Sequence, residues 1–177
     1  MKKILEEAIS NKTLVSISLN PINWDKRIIG YVNSMNETTI IVDEVSVLGI
    51  VVKRRQIKME QIKIVEIDDS YNRHLEKLKG IGDTIKNTKS LYYLNKGNSF
   101  IKKLPQLISQ RCVCTFFFGT EYITGILKEI NDNFLIINSL GYMGTKEGKV
   151  FCKIESITKI RYDGVFERKI AFLGNVN

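Results

Sequence analysis

Ile28-Ile29-Gly30-Tyr31-Val32, a break at Asn36-Glu37, then Thr39-Ile40-Ile41-Val42: this stretch decides the fold, because it recurs. Its counterpart is Ile123-Thr124-Gly125-Ile126-Leu127, a turn at Asn131-Asp132-Asn133, and Phe134-Leu135-Ile136-Ile137. At an offset of 95, Gly30 meets Gly125, Asn36 meets Asn131, Gly49 meets Gly144, Lys58 meets Lys153, Asp68 meets Asp163 and Arg73 meets Arg168. Apolar positions agree further, as in Val32/Leu127, Ile40/Leu135, Val65/Ile160 and Leu75/Ile170. Identity is roughly one in five, yet the register runs without a gap and glycines and turn residues match, as divergent copies of one unit would. Upstream the offset becomes 99, pairing Leu5 with Leu104 and Ile9 with Ile108, so the first copy holds four extra residues around Asn20-Pro21-Ile22-Asn23-Trp24.

Each copy predicts the same order of elements. Ile4, Leu5, Ala8 and Ile9, or Leu104, Leu107 and Ile108, repeat at helical spacing, with Pro105 in the first turn of the second helix. Short strands follow: Leu14 to Leu19 or Cys112 to Phe118, the glycine-bearing strand, the apolar strand, one ending near Lys58 or Lys153, and Ile62–Ile67 or Ile157–Tyr162. Asp69 or Ser70 caps a closing helix with Tyr71, Leu75 and Leu78 on one face, matched by Phe166, Ile170 and Leu173. Five short strands without crossover helices predict a mainly β chain, a tandem duplication of a small five-stranded antiparallel barrel whose closure removes strand edges. Gly30 and Gly125 suit the bend such a barrel requires. The expected domains are 1–78, the first barrel with its flanking helices, a basic linker at 79–103, and the second barrel at 104–177.

Helix first, a bent glycine strand, a turn at Asn131-Asp132-Asn133, an apolar strand and Val150-Phe151-Cys152-Lys153-Ile154-Glu155-Ser156-Ile157 resemble the Sm-like fold among the SH3-like barrels. That family includes the bacterial RNA chaperone Hfq and the Sm proteins of ribonucleoproteins. The resemblance implies RNA binding through the turn between the second and third strands and the turn between the fourth and fifth, in a ring of protomers. It puts Asn36 and Asn131 where the first turn usually carries an Asp, and Lys58 and Lys153 at the basic position of the second. The sequence departs from the pattern at Ile40 and Leu135, where Sm motifs carry Asn, and at Lys58-Met59 and Lys153-Ile154, where they carry Arg-Gly. The Lys-His step of Hfq is also missing. An Asn in such a turn has a second reading, tolerance of left-handed backbone.

Charge narrows the function classes. The 177 residues carry 27 Lys and Arg against 19 Asp and Glu, a net +8, and residues 79–103 alone hold six lysines and one aspartate. There Lys86, Lys89, Lys96, Lys102 and Lys103 interleave with Tyr92, Tyr93 and Phe100, a mixture that neutralises phosphates and stacks on bases. Its alternative reading is a solvated linker, with Ile85, Leu91 and Leu94 docking on a barrel. Lys53-Arg54-Arg55 is expected at a hairpin tip, near enough to Asp43 and Glu44 to be offset by them, and Trp24 is either an exposed stacking residue or a cover on the barrel mouth.

No catalytic motif emerges. Gly80-Ile81-Gly82 continues into Asp83 rather than a phosphate loop, and the Asp68-Asp69 and Glu6-Glu7 pairs carry no sign of distinct environments. Cys112, Cys114 and Cys152 with His74 lack zinc spacing and read as free thiols in a reducing compartment, with no metal or cofactor expected. No apolar stretch reaches the roughly 20 residues of a membrane helix, and Glu6-Glu7 interrupts any leader, so the expectation is cytoplasmic. The leading expectation is a non-catalytic protein binding RNA or single-stranded DNA through Lys53, Arg54, Arg55, Lys58, Lys153 and the linker residues Lys89, Tyr92, Tyr93 and Lys96. Its rival is a protein-interaction or self-association module, in which Phe117 of Phe116-Phe117-Phe118 faces a neighbour, since three consecutive aromatics cannot all enter one core.

Overall fold

A computed structural model describes residues 1–20, 22, 27–87 and 90–176, with 98 and 99 described by backbone alone. Trp24 and Lys89 therefore lie outside the described residues. The chain is mainly β and divides into two compact units, Met1–Asp83 and Thr84–Asn177.

The first unit begins with α1 (Lys2–Asn11) and continues through β1 (Leu14–Ser18), β2 (Ile28–Met35), β3 (Thr39–Val45), β4 (Val51–Lys58), a 3-10 turn (Met59–Gln61), β5 (Ile64–Ile67) and α2 (Ser70–Leu78). All pairings are antiparallel, and the sheet order is β4-β3-β2-β1-β5. Leu5 and Ala8 of α1 join Val15, Ile17, Val32, Ile40, Val42 and Ile57 in one apolar cluster, so the sheet folds around a single core. The alternation that puts these residues inside is the period-2 pattern of a half-buried strand. Asp69 caps α2 as expected, its Oδ1 accepting the Asn72 N–H at 2.7 Å, and Leu75 and Leu78 are buried.

The second unit repeats that order. After α3 (Gly82–Asn87), which begins in the first unit, come β6 (Tyr92–Asn95), α4 (Asn98–Gln110), β7 (Val113–Phe118), β8 (Glu121–Asn131), β9 (Phe134–Leu140), β10 (Lys146–Lys153), a 3-10 turn (Ile154–Ser156), β11 (Lys159–Tyr162) and α5 (Val165–Leu173). Strands β9, β10 and β11, the 3-10 turn and α5 each begin 95 residues after their counterparts, and β7 begins 99 after β1, the offsets read in the sequence. Matched residues also make matched contacts. Arg73 pairs with Asp68 at 3.2 Å and Arg168 with Asp163 at 2.5 Å, each also donating to the aspartate's main-chain carbonyl. Gly30 and Gly125 have no room for a side chain, because a Cβ would collide with the carbonyl oxygen of Asp43 or Asn138 on the neighbouring strand. Just beyond each glycine the ladder slips, between Val32 and Ser34 and between Leu127 and Glu129, which sharpens the bend.

Three expectations need correction. Among the described residues neither sheet closes through hydrogen bonds: the first runs from β4 to β5 and the second, six-stranded, is β10-β9-β8-β7-β11-β6. Residues 79–103 are structured over most of their length, because β6 adds to the β11 edge and α4 starts at Asn98, six residues before the expected domain start. Leu94 and Phe100 are thereby drawn into the core of the second unit. Pro105 sits in the middle of α4 rather than in its first turn, at the cost of one helical N–H donor.

Candidate nucleic-acid interface

One end of the second unit gathers residues from both the β7–β11 sheet and the expected linker. The β8–β9 turn passes through Asp132, whose φ of 41° is left-handed, and Phe134 follows at once as the first residue of β9. Opposite Phe134 in register stands Lys153, the last residue of β10. The 3-10 turn is tied to the β8–β9 turn by the Ile154 N–H, which donates to the Asn133 carbonyl at 2.8 Å. Lys96, just past β6, brings its Nζ to the Glu155 carbonyl at 2.6 Å, and Lys153 Nζ lies 3.6 Å from the Glu155 carboxylate. Two ammonium groups 57 positions apart in sequence thus converge on one residue. They flank a cavity of about 640 Å³ whose apolar lining includes Phe100, Ile101, Ile130 and Phe134. Phe134 is 44 % and Ile101 58 % exposed. A flat ring can lie on such a surface while a linked anion reaches a lysine.

The other expected residues disperse. Lys53-Arg54-Arg55 lies within β4 rather than at a hairpin tip, the tip being formed around Gly49. Arg54 donates from Nε and Nη2 to the two Asp43 oxygens at 2.6 and 3.0 Å, and Arg55 pairs with Glu44. Arg54's hydrogen bonds hold the Asp43 carboxyl below its usual range. Lys53 stands opposite Glu44 in the ladder. This cluster is therefore offset by carboxylates on the adjacent strand, as its spacing from Asp43 and Glu44 suggested. Lys58 pairs with Glu60 at 3.8 Å, the first unit's version of Lys153 and Glu155, but Thr39 stands where the second unit has Phe134. Asn36 serves its own turn: its Oδ1 accepts from the backbone N–H and hydroxyl groups of both Thr38 and Thr39. Asn131 donates to Glu129 at 3.2 Å.

Tyr92 and Tyr93 belong to β6 rather than to a solvated linker. Tyr92 stacks on Tyr162 at 5.3 Å, whereas Tyr93 lies on the other face beneath the Lys159 ammonium at 5.1 Å. Phe116 and Phe118 turn into the core, and Phe117 turns to the outer face of the sheet, half-buried beside Tyr122 and under Lys159. The outer face is held to α5 by Glu167, which is 1 % exposed and accepts from Arg161 Nε at 2.8 Å and from the Thr115 hydroxyl. Cys112 and Cys114 have sulfurs 3.7 Å apart, and their hydrogen bond lowers the Cys112 thiol while that bond and burial raise Cys114. Among the described residues no cluster of three or more His, Cys, Asp or Glu is arranged to hold a metal ion, and no helix is long and apolar enough to cross a membrane.

Sequence reasoning passed over Phe134, Lys159, Arg161 and Tyr122. Phe134 had a local signal, an aromatic directly after a turn. The other three share a face with Phe117 only once the register of β11 and β8 against β7 is known. The chain matches no family model, no curated protein and no solved structure.

Proposed function

We propose that the protein is a non-catalytic, tandem Sm-like module that binds RNA or single-stranded DNA through its second unit. The observation that carries this reading is the convergence of Lys96 and Lys153 on Glu155 beside the exposed ring of Phe134. The coincidence of element boundaries and ion pairs at the sequence offset supports the duplication. The helix-first order, with the first and fifth strands adjacent in each sheet, supports the Sm-like resemblance. By that resemblance the two turns that meet here are the nucleic-acid-binding turns, and the connector adds a cation the family pattern lacks. Glu155 and Asp132 temper the charge, so affinity rests on stacking together with phosphate contact.

Fluorescence anisotropy with a labelled single-stranded ten-mer tests the reading at several salt concentrations. Replacing Lys96 and Lys153 by Gln should flatten the log K against log salt slope by about 1.4, and Phe134→Ala should weaken binding roughly tenfold. Wild-type protein that fails to bind at low salt would refute the reading. A protein-assembly role draws on a separate observation: β4 and β10 each have one hydrogen-bonded neighbour, and Phe151 on β10 is 66 % exposed. Concentration-dependent gel filtration distinguishes the two.

A further inference from the structure

A second surface of the same unit combines rings and cations without any contribution from the turns. Strands β6, β11, β7 and β8 lie side by side, and one face of this run presents Tyr93, Lys159, Arg161, Phe117 and Tyr122. Lys159 Nζ sits 5.1 Å from the Tyr93 centroid and 4.4 Å from that of Phe117. Phe117 and Tyr122 are 6.0 Å apart, and the Arg161 guanidinium lies 5.5 Å from Phe117. Tyr93 and Tyr122 are 47 % and 57 % exposed. Arg161 is engaged by Glu167, which leaves Lys159 as the cation held by rings and not by a carboxylate in any ion pair the structure shows.

The fold does not require this arrangement. In the first unit the corresponding positions are Ser18, Arg27, Ile64 and Glu66, and there Arg27 and Glu66 pair at 3.7 Å. Among the described residues the first unit also has no strand in the place of β6. Lys96 follows β6 on the side where Lys159 and Phe117 meet, since the Lys96 N–H donates to the Thr158 carbonyl and the Thr158 N–H to that of Phe117. The face therefore begins where the Lys96–Lys153 cavity ends. Beyond Tyr122 it reaches a groove of about 210 Å³ lined also by Thr124, Ser139, Tyr142 and Phe166.

The geometry points to this outer face as a stacking platform for a single-stranded nucleic acid that leaves the cavity past Lys96. Four strands span about 14 Å, enough for two or three splayed bases. A base arriving on Phe117 or Tyr93 replaces the Lys159 ammonium above the ring and releases it to the adjoining phosphate. Neutral rings and one mobile cation suit a chain of alternating bases and phosphates better than a polyanion without bases. This inference rests on the nucleic-acid reading above and assigns it a second, extended contact.

The test uses the full chain, fluorescein-labelled ten-nucleotide oligouridylate, an unlabelled dinucleotide competing for the cavity, and inorganic polyphosphate as a base-free polyanion. Tyr122→Ala and Tyr93→Ala should each weaken ten-mer binding roughly tenfold, leaving dinucleotide and polyphosphate binding unchanged. Lys159→Gln should reduce the salt slope for the ten-mer by about 0.7. Phe117→Leu keeps an apolar side chain and should weaken the ten-mer similarly; if it fails to fold, the two exposed tyrosines carry the test. Ring variants that bind the ten-mer like wild type, while Lys96→Gln and Phe134→Ala lose affinity, overturn the platform and leave the cavity reading standing. Wild-type protein that binds no ten-mer at low salt overturns both.

Discussion

Replacing Arg161 by Met should expose the cost of a buried carboxylate. Glu167 is 1 % exposed, its Oε1 accepts from Arg161 and Thr115, and its Oε2 is buried without a hydrogen-bond partner. Removing the guanidinium leaves a charge in the interior with one hydroxyl for company, a change that typically costs about 3–5 kcal/mol. The variant should therefore lose about 3 kcal/mol. Arg161→Met combined with Glu167→Gln should regain most of the loss at pH 7, since position 72 of the first unit already carries the neutral version, Asn72 accepting from Ser16 at 3.2 Å. Urea unfolding at pH 7 followed by circular dichroism reads all three proteins. A loss below about 1 kcal/mol at pH 7, or a double variant no better than the single one, would refute this account of the pair.

Two further outcomes follow from the packing. Gly125→Ala forces a Cβ into the Asn138 carbonyl and Ile137, so it should destabilise by about 1–3 kcal/mol in urea unfolding, and Gly30→Ala should do the same against Asp43 and Val42. Among the thiols, Cys112 is half-exposed and its pKa is lowered by its bond with Cys114, so iodoacetamide followed by mass spectrometry should label it well before Cys114, with a rate–pH midpoint below the ordinary 9.0; equal labelling of the two would contradict that geometry.

Local patterns sufficed for most of the fold. Alternation and turn residues located β3, β4, β9 and β10, Asp69 marked a helix start, and Gly30 with Gly125 marked the bends, because each depends on neighbours a few residues away. The connector resisted the same reasoning. Tyr92–Asn95 is four residues long and becomes a strand only because the distant β11 edge receives it, and that pairing buries Leu94 while leaving both tyrosines about half exposed. Phe100 looked like a stacking residue in a basic run, yet it lies at the start of a helix that begins earlier than its leucines indicated. The site shows the same division. Lys153 followed from the repeat and the offset of Arg54 and Arg55 from their spacing to Asp43 and Glu44, whereas the outer-face cluster was fixed by cross-strand register.

The matched skeletons make the differences between the units informative. Both units share several solutions: the excluded Cβ at Gly30 and Gly125, the paired Asp68–Arg73 and Asp163–Arg168, the Lys–Glu step at the 3-10 turn. At one end and on the outer face of the sheet they diverge. Phe134 stands in place of Thr39, Phe117 of Ser18, Tyr122 of Arg27, Lys159 of Ile64 and Arg161 of Glu66, so that the second unit has three more aromatics here and the Arg27–Glu66 pair is replaced by a ring and by an arginine paired with Glu167. Stability alone gives no reason for this drift, because exposed rings add little to folding and risk association. The nucleic-acid binding proposed above would draw on the three added rings and on Lys159. It also locates the affinity: variants on the first unit's Lys53, Arg54 and Arg55 should leave ten-mer binding near wild type, while the second unit's Phe134 and Tyr122 control it, and the reverse order would dissolve the argument from divergence.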